Sequence, residues 1–143
     1  MCVDFSDTTD RLLTAATKLA ASTGLTARIV HVAAAEAELA GYDKEAFEAA
    51  TPDKRAAQRR DEHGRLDDLG DRLRSAGVTV AEATVVMGHS VDEILRLADE
   101  LDVELIMVGS HGHGGLHHLL VGSTTETLLR RSTVPVVVVP AKA

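Results

Sequence analysis

VGSHGHGGLHHLLVGSTT, residues Val108–Thr125, lies between an apolar run, ELIM (Glu104–Met107), and a helix-like run, ETLLRRS (Glu126–Ser132). The apolar run reads as a buried strand. The stretch after it holds Gly109, Gly112, Gly114, Gly115 and Gly122, five of the chain's eleven glycines. Glycine lets a ligand approach the main chain closely and lets the backbone take positive φ. Gly122-Ser123-Thr124 then delivers the chain to a helix start, where unpaired N–H groups and the positive end of the helix dipole favour an anion. Strand, glycine loop and helix start together describe a phosphate cradle.

Around this stretch, strands and helices alternate. Met1–Phe5 is a short strand-like piece, and Ser6-Asp7-Thr8 supplies cap candidates for a helix that Gly24 ends. Ala27–Ala33 (ARIVHVA) reads as the second strand, and residues 34–50 as part helix, part loop. Thr51-Pro52 opens a helix whose apolar face is Leu66, Leu69, Leu73 and Ala76, and Gly77 closes it. Val78–Met87 is the third strand. Ser90-Val-Asp-Glu93 matches a capping box, and Ile94, Leu97, Ala98 and Leu101 fall on one helical face. Val103–Val108 is the fourth strand, Ser123–Arg131 a helix, and Val134–Val139 the fifth strand. Such alternation predicts an α/β domain over residues 1–143, with parallel strands, right-handed crossovers and helices on both faces. Ligands in such sheets bind at the carboxyl ends of the strands, where strand order reverses.

Composition narrows the partners. The chain has 143 residues, is 45% hydrophobic and carries a formal charge of −7, which argues against nucleic acid or an anionic membrane. A single cysteine, Cys2, excludes a disulfide within the chain. With no apolar run long enough for a membrane span and no signal peptide, a cytoplasmic location is expected.

Gly109-Ser-His-Gly112, nine residues, then Gly122-Ser123 gives the pattern G-x-x-G-x9-G-[S/T]. It resembles that of the ATP-binding universal stress proteins, the UspA-like family. VDFSDTTDRLL near the start, IVHV (Ile29–Val32) and the final VPVVVV are similar to that family's first strand and helix entry, second strand and last strand. The resemblance implies a five-stranded parallel sheet of order 3-2-1-4-5, Rossmann-like, with an adenine nucleotide at the switch point between the first and fourth strands. By motif position, Asp4 and Val32 meet adenine and ribose, with Cys2 and Val3 beside them. Val108, Gly109, His111 and Gly112 line sugar and phosphates, and Gly122, Ser123, Thr124 and Thr125 hold the phosphates. The resemblance also implies ATP with Mg²⁺ or Mn²⁺, a role in stress response and a homodimer through the last strand, Val136–Val139. Only Met1 precedes Cys2, where the family's first strand carries several residues, so either the start is misassigned or the chain tolerates a clipped central strand.

Plainer readings stand beside these. Ser123-Thr-Thr-Glu126 is itself a capping box, able to cap its helix without a ligand. Asp4 is placed to cap the helix that follows it, and a ligand role for it is acceptance of ribose or adenine donors rather than phosphate contact. His111, His113, His117 and His118 raise a zinc site, yet no cysteine or close carboxylate completes one, so no metal ligand is assigned. His31 reads as a packed or hydrogen-bonded strand residue. Arg130 and Arg131 suit the negative end of their helix. No G-x-S-x-G elbow or Walker lysine is present, so no catalytic residue is assigned. The expected function is a nucleotide-dependent regulatory module. The alternatives are a slow ATP hydrolase using His111 or a bound metal, and a dimeric interaction module that needs no nucleotide.

Overall fold

Nearly continuous valine in the last strand has a simple cause: both of its faces are covered. The computed structural model describes residues 1–33, 52–110 and 122–141. Its elements are α1 (Thr9–Thr23), β1 (Ala27–Ala33), α2 (Pro52–Ser75), β2 (Val80–Met87), α3 (Ser90–Glu100), β3 (Ile106–Gly109), α4 (Ser123–Arg131) and β4 (Val136–Val139). Residues alternate across a strand. Val3, Ile29, Met107 and Val139 accordingly pack with Leu12, Leu13 and Ala16 of α1 and Leu66, Leu69 and Leu73 of α2. Cys2, Val32, Ile106, Val108, Val136 and Val138 pack with Val91, Ile94 and Ala98 of α3 and Leu128 of α4. Helices therefore lie on both faces, as the alternating sequence predicts.

The helix faces reflect residue spacing. In α2 the buried positions Glu62, Leu66, Leu69 and Leu73 repeat at four and three residues, which keeps one stripe inward on an otherwise charged helix. Ala76 lies beyond the helix end and is exposed, so it is not part of that face. Gly24 ends α1 at φ 73, its N–H donating to the Ala20 carbonyl. That left-handed angle is one a glycine reaches without a Cβ clash. Gly77 comes after α2 at φ 85.

The expected single five-stranded sheet is not what forms. The described residues form two two-stranded parallel sheets, β1 with β2 and β3 with β4. Apart from one shift beside Ala27, β1 runs against β2 from Arg28↔Glu82 to Ala33↔Met87. β3 runs against β4 from Ile106↔Val136 to Gly109↔Val139. The segment Met1–Val3 sits between the two pairs but makes only an isolated bridge, Cys2↔Val30. Its Val3 N–H donates to the Val30 carbonyl at 2.9 Å, and its Cys2 N–H to the Met107 carbonyl at 2.8 Å. The backbone turns at Phe5, φ 58, which ends the run of this segment beside the strands. β3 and β4 each begin two or three residues later than the apolar runs predict, since hydrophobicity marks burial and not pairing.

The capping boxes are also corrected. The residue preceding α3 is His89, extended at φ −74, ψ 121, and that preceding α4 is Gly122 at φ −58, ψ 152; neither makes a side-chain cap bond. Ser90 and Ser123 are already inside their helices, one residue past the cap. Thr8 holds the cap position of α1, also without a side-chain cap bond.

This packing can be tested in two ways. Leu128 is 0% exposed, so Leu128→Ala is expected to lower unfolding free energy by about 2–5 kcal/mol in urea titrations. A loss under about 1 kcal/mol contradicts a packed core at α4. Burial pushes the Cys2 thiol above its ordinary range, and the charged amino terminus offsets part of that rise. With the folded value raised, the folded chain holds the proton to higher pH. Its contribution to stability is complete below the unfolded value and is lost as pH rises through the folded one. Alkylation of Cys2 in the native protein is therefore expected to accelerate at higher pH than in the denatured chain; an equal or lower midpoint contradicts the burial.

Candidate functional site

The carboxyl ends of β1, β3 and the N-terminal segment bring Val32, Gly109 and Asp4 to one end of the fold, where α4 also starts. Ser110 knots this end together. Buried, with 8% of its surface exposed, it comes directly after β3. Its N–H donates to the Val139 carbonyl at 2.8 Å, and its carbonyl accepts the Gly122 N–H at 2.8 Å. Its Oγ accepts the Ala141 N–H at 3.0 Å. One residue thus ties the end of β3, the end of β4 and the start of α4.

Gly122 is held on both sides. Its N–H goes to Ser110, and its carbonyl accepts the Glu126 N–H at 2.9 Å, the first bond of the α4 ladder. A helix leaves its first N–H groups without intrahelical partners. Here these include Ser123, Thr124 and Thr125, and no side chain caps them from position 122. The φ of −58 at Gly122 is open to any residue, so its conformation does not demand glycine.

The predicted contacts divide. Gly109, Gly122, Ser123 and Thr124 come together around the α4 start, and Ser123 and Thr124 are exposed. Thr125 is buried, and its Oγ1 donates to the Gly109 carbonyl at 2.8 Å. That hydroxyl is a brace between β3 and α4. Val3 and Val108 are 4% and 5% exposed, with side chains in the two cores. Cys2 and Val32 pack against the α3–α4 core. His111 and Gly112 lie outside the described residues, as do His113, His117, His118, Gly114 and Gly115. Among the described residues no group of three or more His, Cys, Asp or Glu could hold a metal.

Asp4 stands at the other wall. Its Oδ1 accepts the Ser6 N–H at 3.0 Å, so the carboxylate turns its own loop. His31 Nδ1 lies 2.8 Å from the Val3 carbonyl. The Phe5 ring is 4.4 Å from the His31 ring, centroid to centroid, and the Arg65 guanidinium carbon lies 4.2 Å from the Phe5 centroid. Sequence reasoning missed Ser110, Phe5 and Arg65. Ser110 was visible as a residue of the glycine pattern; nothing local marks Phe5 or Arg65.

Two cavities among the described residues, of about 620 and 140 Å³, lie at the opposite end. They adjoin Met1, Arg28, Leu101 and Leu105 and are separate from this site. No described helix is long and apolar enough to cross a membrane.

Comparison with known proteins agrees with this architecture. The chain is 33% identical over 78 residues to universal stress protein MJ0577 of Methanocaldococcus jannaschii, covering 54% of this chain and 48% of that one. The matches to curated relatives span about half of their length or less. The solved structure of MJ0577 superposes with a TM-score of 0.80 at 25% identity, covering 99% of this chain and 94% of the other. A universal stress protein in complex with cAMP shares the fold at a TM-score of 0.65 and 24% identity, covering 99% and 94%. One from Archaeoglobus fulgidus in complex with dAMP does so at 0.61 and 20%, covering 96% and 93%. The profile of the universal stress protein family matches residues 1–140, nearly the whole length, and the chain belongs to that family.

Proposed function

We propose that this chain is a nucleotide-binding regulatory module of the stress response that takes ATP at the carboxyl end of β3. The observation that carries this reading is Gly122. It is a glycine in a conformation any residue could adopt, fixed between Ser110 and Glu126, at the head of an uncapped helix. A phosphate placed there meets the N–H groups of Ser123–Thr125 and the positive end of α4, and a Cβ at position 122 would stand in its way. The residues at the site therefore fit a phosphate group. Bound ATP supplies a polyanion to the first N–H groups of α4, and a divalent ion travels on its phosphates. Asp4, across from the helix, accepts from donors of the nucleoside. The cAMP and dAMP found with the two structural neighbours belong to those proteins; they support an adenine nucleotide as the class to try first.

The signal is read by a partner or by a second copy of the chain. β4 pairs with β3 along one edge, and no described strand pairs the other. A parallel row of unpaired main-chain groups invites another strand. A homodimer through Val136–Val139 in the cytoplasm is the arrangement we favour, and sedimentation at twice the monomer mass is its expected outcome.

The deciding experiment denatures freshly purified protein and weighs the released small molecules by mass spectrometry. ATP or ADP at about one per chain is expected. Gly122→Val is expected to lose nucleotide by at least about tenfold, while its melting temperature stays near wild type because the backbone angle suits valine. An empty extract together with no binding at millimolar ATP overturns the reading, as does full binding by Gly122→Val.

A further inference from the structure

Phe5 is a bulky residue at φ 58, in the left-handed region. Such a residue stays there only when its surroundings hold it, and such angles gather at functional sites. Here the surroundings come from two distant elements. His31 of β1 lies against the Phe5 ring at 4.4 Å and is itself anchored on the Val3 carbonyl at 2.8 Å. Arg65 of α2 lies over the ring at 4.2 Å, and its Nη2 donates to the Phe5 carbonyl at 3.4 Å. Val3 and Phe5 flank Asp4, so both neighbours of the carboxylate are tied down, while its Oδ1 is engaged by the Ser6 N–H.

We propose that Arg65, acting through Phe5, is a positioning residue that aims the Asp4 carboxylate at a donor of the nucleoside, either the adenine amino group or a ribose hydroxyl. This rests on the nucleotide-binding reading above. A carboxylate only accepts, so its direction decides which donor it meets. The strained angle at Phe5 fixes the direction of the chain on leaving Asp4, and the Arg65 clamp keeps that angle populated. A lysine over the ring keeps the charge but lacks the planar fork that also reaches the carbonyl. The clamp is separate from the phosphate cradle at α4: it tunes recognition of the nucleoside and leaves phosphate contacts unchanged.

The test is calorimetric titration of ATP into nucleotide-free wild type, Arg65→Ala, Arg65→Lys, Asp4→Asn and the Asp4→Asn/Arg65→Ala double variant, with a melting curve for each. Arg65→Ala is expected to weaken binding about fivefold, the scale of an exposed cation–ring contact. Arg65→Lys should regain part of that loss. In the Asp4→Asn background, Arg65→Ala is expected to cost less than about twofold, since coupled residues are not additive. A merely structural arginine would instead cost the same factor in both backgrounds, and that result overturns the proposal, as does wild-type affinity in Arg65→Ala. Where Arg65→Ala does not fold, Phe5→Gly takes its place, because glycine keeps the positive φ and removes the ring; it too should bind more weakly, and wild-type affinity there overturns the clamp. ATP and 2′-deoxy-ATP separate the donors: loss of discrimination in Arg65→Ala assigns the ribose, and equal weakening assigns the base. Wild type that binds no ATP sinks the nucleotide reading itself and the clamp with it, whereas wild type that binds beside an unchanged Arg65→Ala sinks the clamp alone.

Discussion

The two halves of this molecule are joined through a segment of three residues. β1 and β2 form one parallel pair, β3 and β4 another, and Met1–Val3 lies between them. The Cys2 N–H reaches one pair through Met107, while the Val3 N–H reaches the other through Val30. Alternation along the segment sends the Cys2 side chain toward α3 and α4 and the Val3 side chain toward α1 and α2. The same few ångströms of backbone therefore serve as sheet connector and as part of both cores. Asp4 and Phe5, next along the chain, inherit their positions from that seam, and so does the wall of the candidate site that these residues build.

The opposite wall depends on a second knot. Ser110 collects the Val139 carbonyl and the Gly122 and Ala141 N–H groups, and Thr125 braces the Gly109 carbonyl. These bonds satisfy main-chain groups at the strand ends with protein partners, which buried polar groups require. They also set where α4 begins and hence where its first N–H groups point. An anion site of this kind needs no positive side chain: its field comes from ordered peptide dipoles. A chain with a formal charge of −7 can thus still present a local attraction to phosphate.

How legible these features were depends on their range. Leu66, Leu69 and Leu73 announce the inner face of α2, and Ile94 and Ala98 that of α3, because helical spacing is written into neighbouring residues. Gly24 and Gly77 mark helix ends for the same reason. The glycine pattern also singles out Gly109, Gly122 and Ser123, which the fold brings to the start of α4. Pattern matching misplaced the caps: S-x-x-E at Ser90 and Ser123 matches a capping box, but the cap positions fall one residue earlier, at His89 and Gly122. The Thr125 hydroxyl donates to a carbonyl sixteen residues away, a contact that no spacing in the sequence marks.

The sequence by itself determined the alternation of helices and strands, the burial of the valine-rich strands on both faces, the glycine pattern and the family. These are properties of composition and of spacing within a few residues, where side-chain periodicity and glycine chemistry act. Only the tertiary structure decided that the strands form two pairs bridged at Cys2, that Gly122 heads α4, that Ser110 is the knot, and that Phe5 takes a positive φ between His31 and Arg65. The bonds that decide them join residues 28 apart for His31 and Val3, 31 for Ala141 and Ser110 and 60 for Arg65 and Phe5. Contacts over such separations arise when packing brings distant elements together, and no local preference encodes them.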